Sequence, residues 1–270
     1  MAELTSDVER SFASCEDDRL RELLQGLVRH LHAFAVEVEL TENEWKRAIA
    51  TLTATSRLTD DRRQEFVLWS DALGLSMLVD AIAHPKPAGA TESTVLGPFW
   101  VEGSPELEYG EAIFTSAAGE PAWVHGRVLD LDGTPISGAM LDVWQNDANG
   151  LYGVQDDEAP EKHLRGRFRT RADGTYAFLG VRPMPYPIPD DGPVGAMLAA
   201  SGRHPWRPAH IHMIVSALGY ETLTTHIFDA DSPYLDSDAV FAVKPSLLRR
   251  FVRDGARWSV ENDIVLAPAR

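Results

Sequence analysis

The first third of the chain carries its apolar residues at helical spacing. Between Leu20 and Val38 they recur every three or four positions, which is the spacing of one helix face. Thr41 and Glu44 have the arrangement of a capping box and predict the start of a second helix. A third helix is predicted over residues 59–83, because prolines at 85 and 87 stop it. Residues 15–90 are therefore predicted to be helical.

From Trp123 onward the apolar positions alternate with polar ones, and a period of two indicates strands. Asp132-Gly133 and Asp173-Gly174 each separate two strand segments and predict hairpin turns. A short helix is predicted over residues 237–251. The predicted strands cover residues 124–129, 139–145, 167–171, 176–181, 210–215, 222–228 and 258–266.

Short strands without helices between them favour an antiparallel sandwich. The fold is therefore predicted to be α+β and mainly β: an antiparallel β-sandwich core with an N-terminal helical region. The stretch 85–98 is rich in Pro and Gly and marks the boundary. Residues 1–95 are predicted to form the helical region, and residues 96–270 the sandwich domain.

Charge and cysteine content narrow the possible classes of protein. The chain has 41 acidic and 25 basic residues, a net charge of −16, whereas a nucleic-acid partner requires a basic surface. Its single cysteine, Cys15, excludes a disulfide framework and a thiolate metal cluster. No apolar run approaches the ~18 residues of a membrane span, and the acidic N-terminus has no signal-peptide core. We expect a cytoplasmic protein without a nucleic-acid or membrane partner.

The candidate chemistry lies in residues 183–212, an irregular stretch that ends in His210 and His212. Residues i and i+2 of a strand point the same way, so both imidazoles face one side, a suitable geometry for a metal. Such a pair can equally be hydrogen-bonded or packed. Cupins use His-x-His with a Glu four or five residues later, where this chain has Ser216 and Ala217. The facial triad of Fe(II) oxygenases needs a carboxylate where His212 stands, and structural zinc needs four ligands.

Two tyrosines have unusual surroundings. Tyr152 follows a strand and an Asn-Gly turn, and Tyr186 lies between two prolines; each by itself would ordinarily be a packing residue. In order, Tyr152, Tyr186, His210 and His212 are 34, 24 and 2 residues apart. This set resembles the ligands of the intradiol ring-cleavage dioxygenases. The sequence around it, in the stretches 97–99, 126–139, 142–152 and 207–212, resembles that family as well.

The resemblance implies a non-haem Fe(III), one per subunit, bound by Tyr152, Tyr186, His210 and His212. Two hard anionic oxygens favour Fe(III), and a bound cation can hold a phenol as phenolate. The family further implies a β-sandwich core, an aromatic diol or triol and O2 as substrates, and a homodimer formed through the N-terminal helices. A lipid at the dimer interface is part of the same expectation.

Two residues acquire catalytic roles from the resemblance. Tyr186 is expected to be displaced by the substrate and to help accept a substrate proton. Arg207 is expected to stabilise negative charge that develops on the ring, which is sound electrostatic catalysis for a fixed guanidinium. The alternative for Arg207 is a structural role, in which it anchors its loop through backbone carbonyls.

The substrate prediction rests on similarity to the hydroxyquinol 1,2-dioxygenase branch. Asp71 stands where catechol enzymes tend to have Pro, and an acid there could accept a hydrogen bond from a third ring hydroxyl. The alternative is a solvated helix residue. His226 stands where the family usually has Gln, a departure that concerns the substrate more than the reaction. The predicted substrate-binding residues are Leu68, Asp71, Val95, Leu96, Gly97, Pro98, Phe99, Ile188, Pro189, Arg207, His226 and Val240.

The predicted function is cleavage of hydroxyquinol (benzene-1,2,4-triol) with O2 to maleylacetate. Catechol cleavage to cis,cis-muconate is the alternative within the class. A binding or transport module with an incidental metal, and an inactive family member, are the alternatives outside it.

Overall fold

The structure of the protein is a computed structural model that describes residues 2–60, 63–114, 119–160 and 162–269. Two compact units are present, Met1–Arg57 and Leu58–Arg270. The division of the chain at residue 95 stays a prediction.

The first unit is built from helices. They are α1 (Ala2–Ser11), α2 (Asp18–Glu37) and α3 (Glu42–Leu58), whose last residue belongs to the second unit. Asp17 caps α2 by accepting a hydrogen bond from the Leu20 amide, 3.0 Å. The predicted capping box is confirmed, because Glu44 N donates to Thr41 Oγ1 (3.3 Å) and Thr41 N donates to Glu44 Oε2 (2.9 Å). Helix α1 precedes the range predicted to be helical.

The second unit begins with two helices where one was predicted, α4 (Glu65–Ala72) and α5 (Leu75–Ala83). Gly74 separates them with φ +74°, a left-handed conformation that glycine adopts without strain and that a helix interior excludes. Among the described residues, no single helix has both the length and the apolar character needed to cross a membrane. Helices α4 and α5, taken together, have sufficient length and apolar composition, but the pair is bent by 78°.

Two further predictions about helices are wrong. Helix α6 (Pro193–Ala200) lies inside the stretch that was predicted to be irregular, and Pro193 begins it in the first-turn position that suits proline. The helix predicted over 237–251 is replaced by a 3₁₀ turn, Pro245–Leu247, and a short strand, Leu248–Arg249. The Asp238 side chain accepts hydrogen bonds from the backbone of Val240 and Ala242, and Phe241 has φ +59°, so this backbone follows a loop.

The strands are β1 (Pro121–Leu129), β2 (Met140–Trp144), β3 (Arg165–Arg169), β4 (Thr175–Val181), β5 (Tyr186–Pro187), β6 (Trp206–Arg207), β7 (His210–Ser216), β8 (Leu223–Asp229), β9 (Leu248–Arg249), β10 (Val252–Asp254), β11 (Arg257–Glu261) and β12 (Ile264–Val265). They form two five-stranded sheets and one two-stranded ribbon. In the first sheet, β1 pairs with β4 on one side and with β11 and β12 on the other, and β10 pairs with β11. The second sheet has the order β3-β2-β7-β8-β9, and the ribbon is β5-β6.

The predicted α+β class with a mainly β core is confirmed. Pairing is antiparallel within β1–β4, β2–β3, β2–β7, β7–β8, β10–β11 and the ribbon. The pairs β1–β11, β1–β12 and β8–β9 are parallel, so the sheets are mixed.

Both predicted hairpins are wrong, although both turns exist. Asp132-Gly133 connects β1 to β2, and Asp173-Gly174 connects β3 to β4, but each connection passes from one sheet to the other. The edges of β1 are taken by β4 on one side and by β11 and β12 on the other, and those of β2 by β3 and β7. A turn signal fixes the local backbone, whereas tertiary pairing decides the partner strand.

The core of the second unit lies between the two sheets. Val124 and Phe178 of the first sheet and Leu141, Ile211 and Met213 of the second belong to one buried apolar cluster. Since neighbouring side chains of a strand point to opposite faces, His210 and His212 project from the other face of the second sheet. The candidate site lies on that outer face.

Candidate metal centre

The strand register aligns a row of side chains on the outer face of the second sheet. His212 of β7 is paired with Trp144 of β2 on one side and with His226 of β8 on the other. The Trp144 ring stacks on the His212 ring, with centroids 4.7 Å apart and an interplanar angle of 15°. His212 is therefore held between an indole and a second imidazole.

Tyr152 reaches the same point from the loop that follows β2. Its Oη lies 2.9 Å from His212 Nε2 and 3.5 Å from His210 Nε2, and the two Nε2 atoms are 3.1 Å apart. Tyr152 is fully buried, and the Phe99 ring stacks on it at 4.5 Å. Three of the four predicted ligands thus bring their donor atoms to one place.

The ribbon β5–β6 supplies the fourth predicted ligand. Its register places Tyr186 opposite Arg207, and Arg207 Nη1 donates to Tyr186 Oη at 3.2 Å. The Tyr186 ring lies 5.3 Å from the Tyr152 ring and 5.6 Å from the His210 ring, centroid to centroid. All four predicted ligands, which lie up to 60 residues apart along the chain, are neighbours in the fold.

The protonation of this cluster suits a cation. His210 Nδ1 donates to the Pro208 carbonyl at 2.7 Å, so His210 Nε2 carries a lone pair, and it lies 3.1 Å from His212 Nε2 and 3.2 Å from the donor Arg207 Nη1. Burial lowers the pKa of His210 well below its usual value, and the Arg207 cation lowers it further, so His210 is neutral. Burial lowers the pKa of His212 in the same way. Two neutral imidazoles with adjacent Nε2 lone pairs are suitable ligands for a cation.

The spacing of the donor atoms also suits a single ion. Ligands about 2.1 Å from one ion, at angles of roughly 90–110°, are about 3.0–3.4 Å from each other. The three separations among Tyr152 Oη, His210 Nε2 and His212 Nε2 run from 2.9 to 3.5 Å. Burial raises the pKa of the Tyr152 phenol well above its usual value, and the Tyr186 hydroxyl raises it further. Ionisation of Tyr152 therefore requires a bound cation.

Arg207 is held beside the cluster by a carboxylate that the sequence did not single out. Arg207 Nε donates to Asp238 Oδ1 at 3.1 Å, and both side chains are buried. Burial is the largest single influence on the Arg207 pKa and lowers it. The charge and hydrogen bond of Asp238, together with Tyr186 and Tyr152, raise that pKa by more in total, so the guanidinium stays charged. Its Nη2 is buried and has no hydrogen-bond partner among the described residues. Its two N–H groups are available to an anionic group in the site.

The predicted pocket residues are divided between two cavities and a buried cluster. A cavity of about 560 Å³ is lined by Asp71, Val95, Leu96 and Gly97, together with parts of α4 and α5. A cavity of about 200 Å³ has Leu68, Pro98, Phe99 and Pro189 in its wall, and it adjoins the tyrosines because Phe99 stacks on Tyr152. Leu68, Ile188 and Val240 belong to one buried apolar cluster.

Gly97 brings the larger cavity against His212, one of the predicted metal ligands. Its φ is +76°, and a Cβ on Gly97 would lie 3.2 Å from His212 Cε1. A side chain there would strain the backbone and press on the imidazole.

His226 lies behind His212. Its Nε2 is 2.7 Å from His212 Nδ1, and its Nδ1 is hydrogen-bonded to Thr94 Oγ1. Side-chain nitrogens of His210, His212 and His226 all lie within 4.8 Å of one another, and all three residues are buried. The expectation that His226 contacts the substrate stays a prediction.

Three residues around the site were not identified as site residues from the sequence: Trp144, Thr94 and Asp238. Trp144 could have been found from the strand pattern, since it lies on the outer face of β2 and is paired with His212 of β7 in the strand register. Thr94 and Asp238 lie in loops, 132 and 31 residues from their respective partners, and carry no local signal.

Two family models match the chain. The model described as "Catechol dioxygenase N terminus" matches residues 17–91, and the model described as "Dioxygenase" matches residues 95–268. Together with the fold and the tyrosine–histidine cluster, these matches define the class. The chain belongs to the intradiol ring-cleavage dioxygenase family and is an enzyme.

Three individual members of the family show how similar the chain is to proteins that act on hydroxyquinols. The chain is 52% identical over 267 residues to a hydroxyquinol 1,2-dioxygenase of Rhizobium sp. (strain MTP-10005), covering 94% of this chain and 90% of that protein. It is 50% identical over 267 residues to a 6-chlorohydroxyquinol 1,2-dioxygenase of Cupriavidus pinatubonensis, covering 98% and 96%. A crystal structure of hydroxyquinol 1,2-dioxygenase from Pseudomonas putida DLL-E4 superimposes with a TM-score of 0.95 at 48% identity, covering 99% and 98%.

Proposed function

We propose that this enzyme cleaves hydroxyquinol between its two adjacent hydroxyl-bearing carbons and inserts both atoms of O2, giving maleylacetate. The observation that carries the proposal is the convergence of Tyr152, Tyr186, His210 and His212 beside a buried arginine. Two phenol oxygens and two neutral imidazole nitrogens form the donor set that suits Fe(III). When bound, Fe(III) would supply the Lewis acidity that holds both substrate oxygens as anions and makes the ring reactive towards O2.

The residues beside the proposed ion have separable tasks. Tyr152, His210 and His212 come from the second sheet and its adjoining loop, so they form the rigid side of the site. Tyr186 comes from the two-stranded ribbon, and we propose that the substrate would replace it beside the ion and that the freed phenolate would accept a substrate proton. Arg207 donates to Tyr186 Oη through Nη1 and has no partner on Nη2, so it can stabilise negative charge on the tyrosine and on the substrate.

Asp71 is proposed to recognise the third hydroxyl of the triol. Its carboxyl is buried on α4, faces the larger cavity and interacts electrostatically with Arg207 and Asp238. Burial raises the pKa of Asp71, while a hydrogen bond from Ser76 and the Arg207 charge partly offset that shift. A buried carboxyl without a matching hydroxyl is penalised, which disfavours catechol.

Replacement of Asp71 by alanine is expected to change the substrate preference. The kcat/KM for hydroxyquinol should fall at least about a hundredfold, because a site built around a hydrogen bond to a hydroxyl discriminates by up to about 10⁴–10⁵. The kcat/KM for catechol should change much less. Steady-state oxygen uptake with both substrates measures the ratio, and catechol serves as the internal control. An equal loss on both substrates would remove Asp71 from the specificity argument and leave catechol cleavage as the competing function.

We propose that the N-terminal helices form a homodimer. Of the described residues of α1 and α2, none is buried, and α2 carries a stripe of half-exposed apolar side chains, of which Leu27 and Phe34 are each 55% exposed. A stripe of this kind on a small helical unit normally packs against a partner. The lipid expected at such an interface, and the cytoplasmic location, are parts of the same proposal.

The dimer is tested by sedimentation of the wild type and of two variants of α2. The wild type is expected to sediment at twice the 29.8 kDa chain mass, and Leu27→Glu should shift it towards monomer. His30→Glu adds the same charge at another exposed position of α2 and should leave the dimer intact. Mass spectrometry of an organic extract tests for lipid. A monomeric wild type at micromolar concentration would contradict the dimer.

A further inference from the structure

Two imidazoles and a hydroxyl form a chain of hydrogen bonds that runs away from the proposed iron site. His212 Nδ1 lies 2.7 Å from His226 Nε2, and His226 Nδ1 is hydrogen-bonded to Thr94 Oγ1. Thr94 is 2% exposed and His226 is 1% exposed. The backbone amide of Thr94 donates to Thr224 O at 2.9 Å, which ties this loop to β8. The side chains of this hydrogen-bond chain are therefore buried, and the loop that carries Thr94 is tied to β8.

The metal requirement decides the direction of these hydrogen bonds. His212 Nε2 faces Tyr152 Oη and His210 Nε2, so this nitrogen must keep its lone pair to bind an ion. A neutral imidazole with a free Nε2 carries its proton on Nδ1. That Nδ1–H points at His226 Nε2, which must then accept, and His226 Nδ1–H must donate to Thr94 Oγ1.

His226 is poorly placed to be a ligand itself. Its Nε2 is hydrogen-bonded to His212 Nδ1, whereas Tyr152 lies at the other ring nitrogen of His212, Nε2. The His226 Nδ1 is engaged by Thr94. Both ring nitrogens therefore have partners, and neither is directed at the point where the Tyr152 oxygen and the two Nε2 atoms converge.

We propose that His226 is a positioning residue that holds His212 in the metal-binding tautomer and orientation, with Thr94 fixing the tautomer of His226 in turn. This inference rests on the proposed iron site. In this arrangement an imidazole nitrogen accepts the hydrogen bond that metal-bound histidines commonly donate to a carboxylate or a carbonyl. His210 has the carbonyl version, since its Nδ1 donates to Pro208 O at 2.7 Å. The two histidine ligands are thus oriented by different devices.

The first test compares Fe(III) binding by two variants of His226. His226→Leu removes the acceptor and should weaken Fe(III) binding about 10- to 100-fold in chelator competition, the usual effect of losing such a partner. His226→Gln offers an amide oxygen to His212 and an amide N–H to Thr94, and should restore most of the binding. The tyrosinate-to-iron absorption band should shift in the Leu variant and return in the Gln variant. Equal losses in both variants would overturn the inference, as would unchanged binding and an unchanged band in both.

Thr94 gives an independent variant should His226→Leu fail to fold. Thr94→Val keeps the shape and removes the acceptor, so Fe(III) binding should weaken by a smaller factor than in the Leu variant. Thr94→Ser keeps the hydroxyl and should bind as the wild type does. Equal binding by the Val and Ser variants would contradict the role of Thr94.

Nuclear magnetic resonance of the Ga(III)-loaded protein tests the tautomers without turnover. The ¹⁵N shifts should show His212 and His226 protonated at Nδ1, and His226 Nε2 unprotonated. A proton on His226 Nε2 would overturn the inference. These outcomes are distinct from failure of the proposed function, in which the wild type itself would bind no Fe(III) and show no absorption band.

Discussion

Replacement of Tyr152 by phenylalanine is expected to abolish ring cleavage and to remove most of the visible absorption of the iron-loaded enzyme. Tyr152 Oη lies within 3.5 Å of both histidine Nε2 atoms, so the change removes the proposed anionic ligand and leaves the ring in place. Loss of a partner that only orients a ligand lowers metal affinity about 10- to 100-fold, so loss of the ligand itself should exceed that. Titration of the apoenzyme with Fe(III), followed by its visible spectrum and by oxygen uptake, measures both effects.

Tyr176→Phe is the matched control for this prediction. Tyr176 is also a fully buried tyrosine, but it lies in the sandwich core, where its hydroxyl donates to the Asn262 carbonyl at 2.7 Å. The change should lower the free energy of unfolding by about 1 kcal/mol and leave the absorption band and the turnover intact. If Tyr152→Phe behaved as Tyr176→Phe does, the ferric site would have to be abandoned.

Replacement of Arg207 by lysine is expected to lower kcat about 10²- to 10³-fold while iron stays bound. The guanidinium contacts Asp238 through Nε and Tyr186 through Nη1, and keeps Nη2 free. A single ammonium group cannot reproduce this geometry, although it keeps the charge. The expected magnitude is that of removing one preorganised donor to a developing anion. Stopped-flow measurements should show normal substrate binding spectra followed by slow decay.

Arg182→Lys provides the control for Arg207. Arg182 also pairs with a buried aspartate, Asp229, at 2.7 Å, but it lies outside the site. The control should lose some stability and keep its kcat. The anchoring role considered for Arg207 predicts a different result: both variants would lose stability, and neither would lose turnover of the remaining folded enzyme.

Much of the local structure could be predicted from sequence because its causes are local. The apolar stripe of α2 and the capping box at Thr41 were predicted, since each depends on residues within about one or two turns. The cap of α2 by Asp17 was not predicted. The alternation of β7 placed His210 and His212 on one face and the core residues Ile211 and Met213 on the other. The tyrosines required resemblance to a family, because spacings of 34 and 24 residues have no local meaning.

Only the tertiary structure decided which strands pair and what surrounds the ligands. The turns at Gly133 and Gly174 form as predicted, yet they lead from one sheet to the other because the edges of β1 and β2 are taken by distant strands. The same pairing puts His226 behind His212, and loop packing brings Thr94 and Asp238 to their partners. Sequence therefore determined which donor groups this protein has. Their mutual orientation depends on contacts between residues up to 132 positions apart, which only the folded chain brings together.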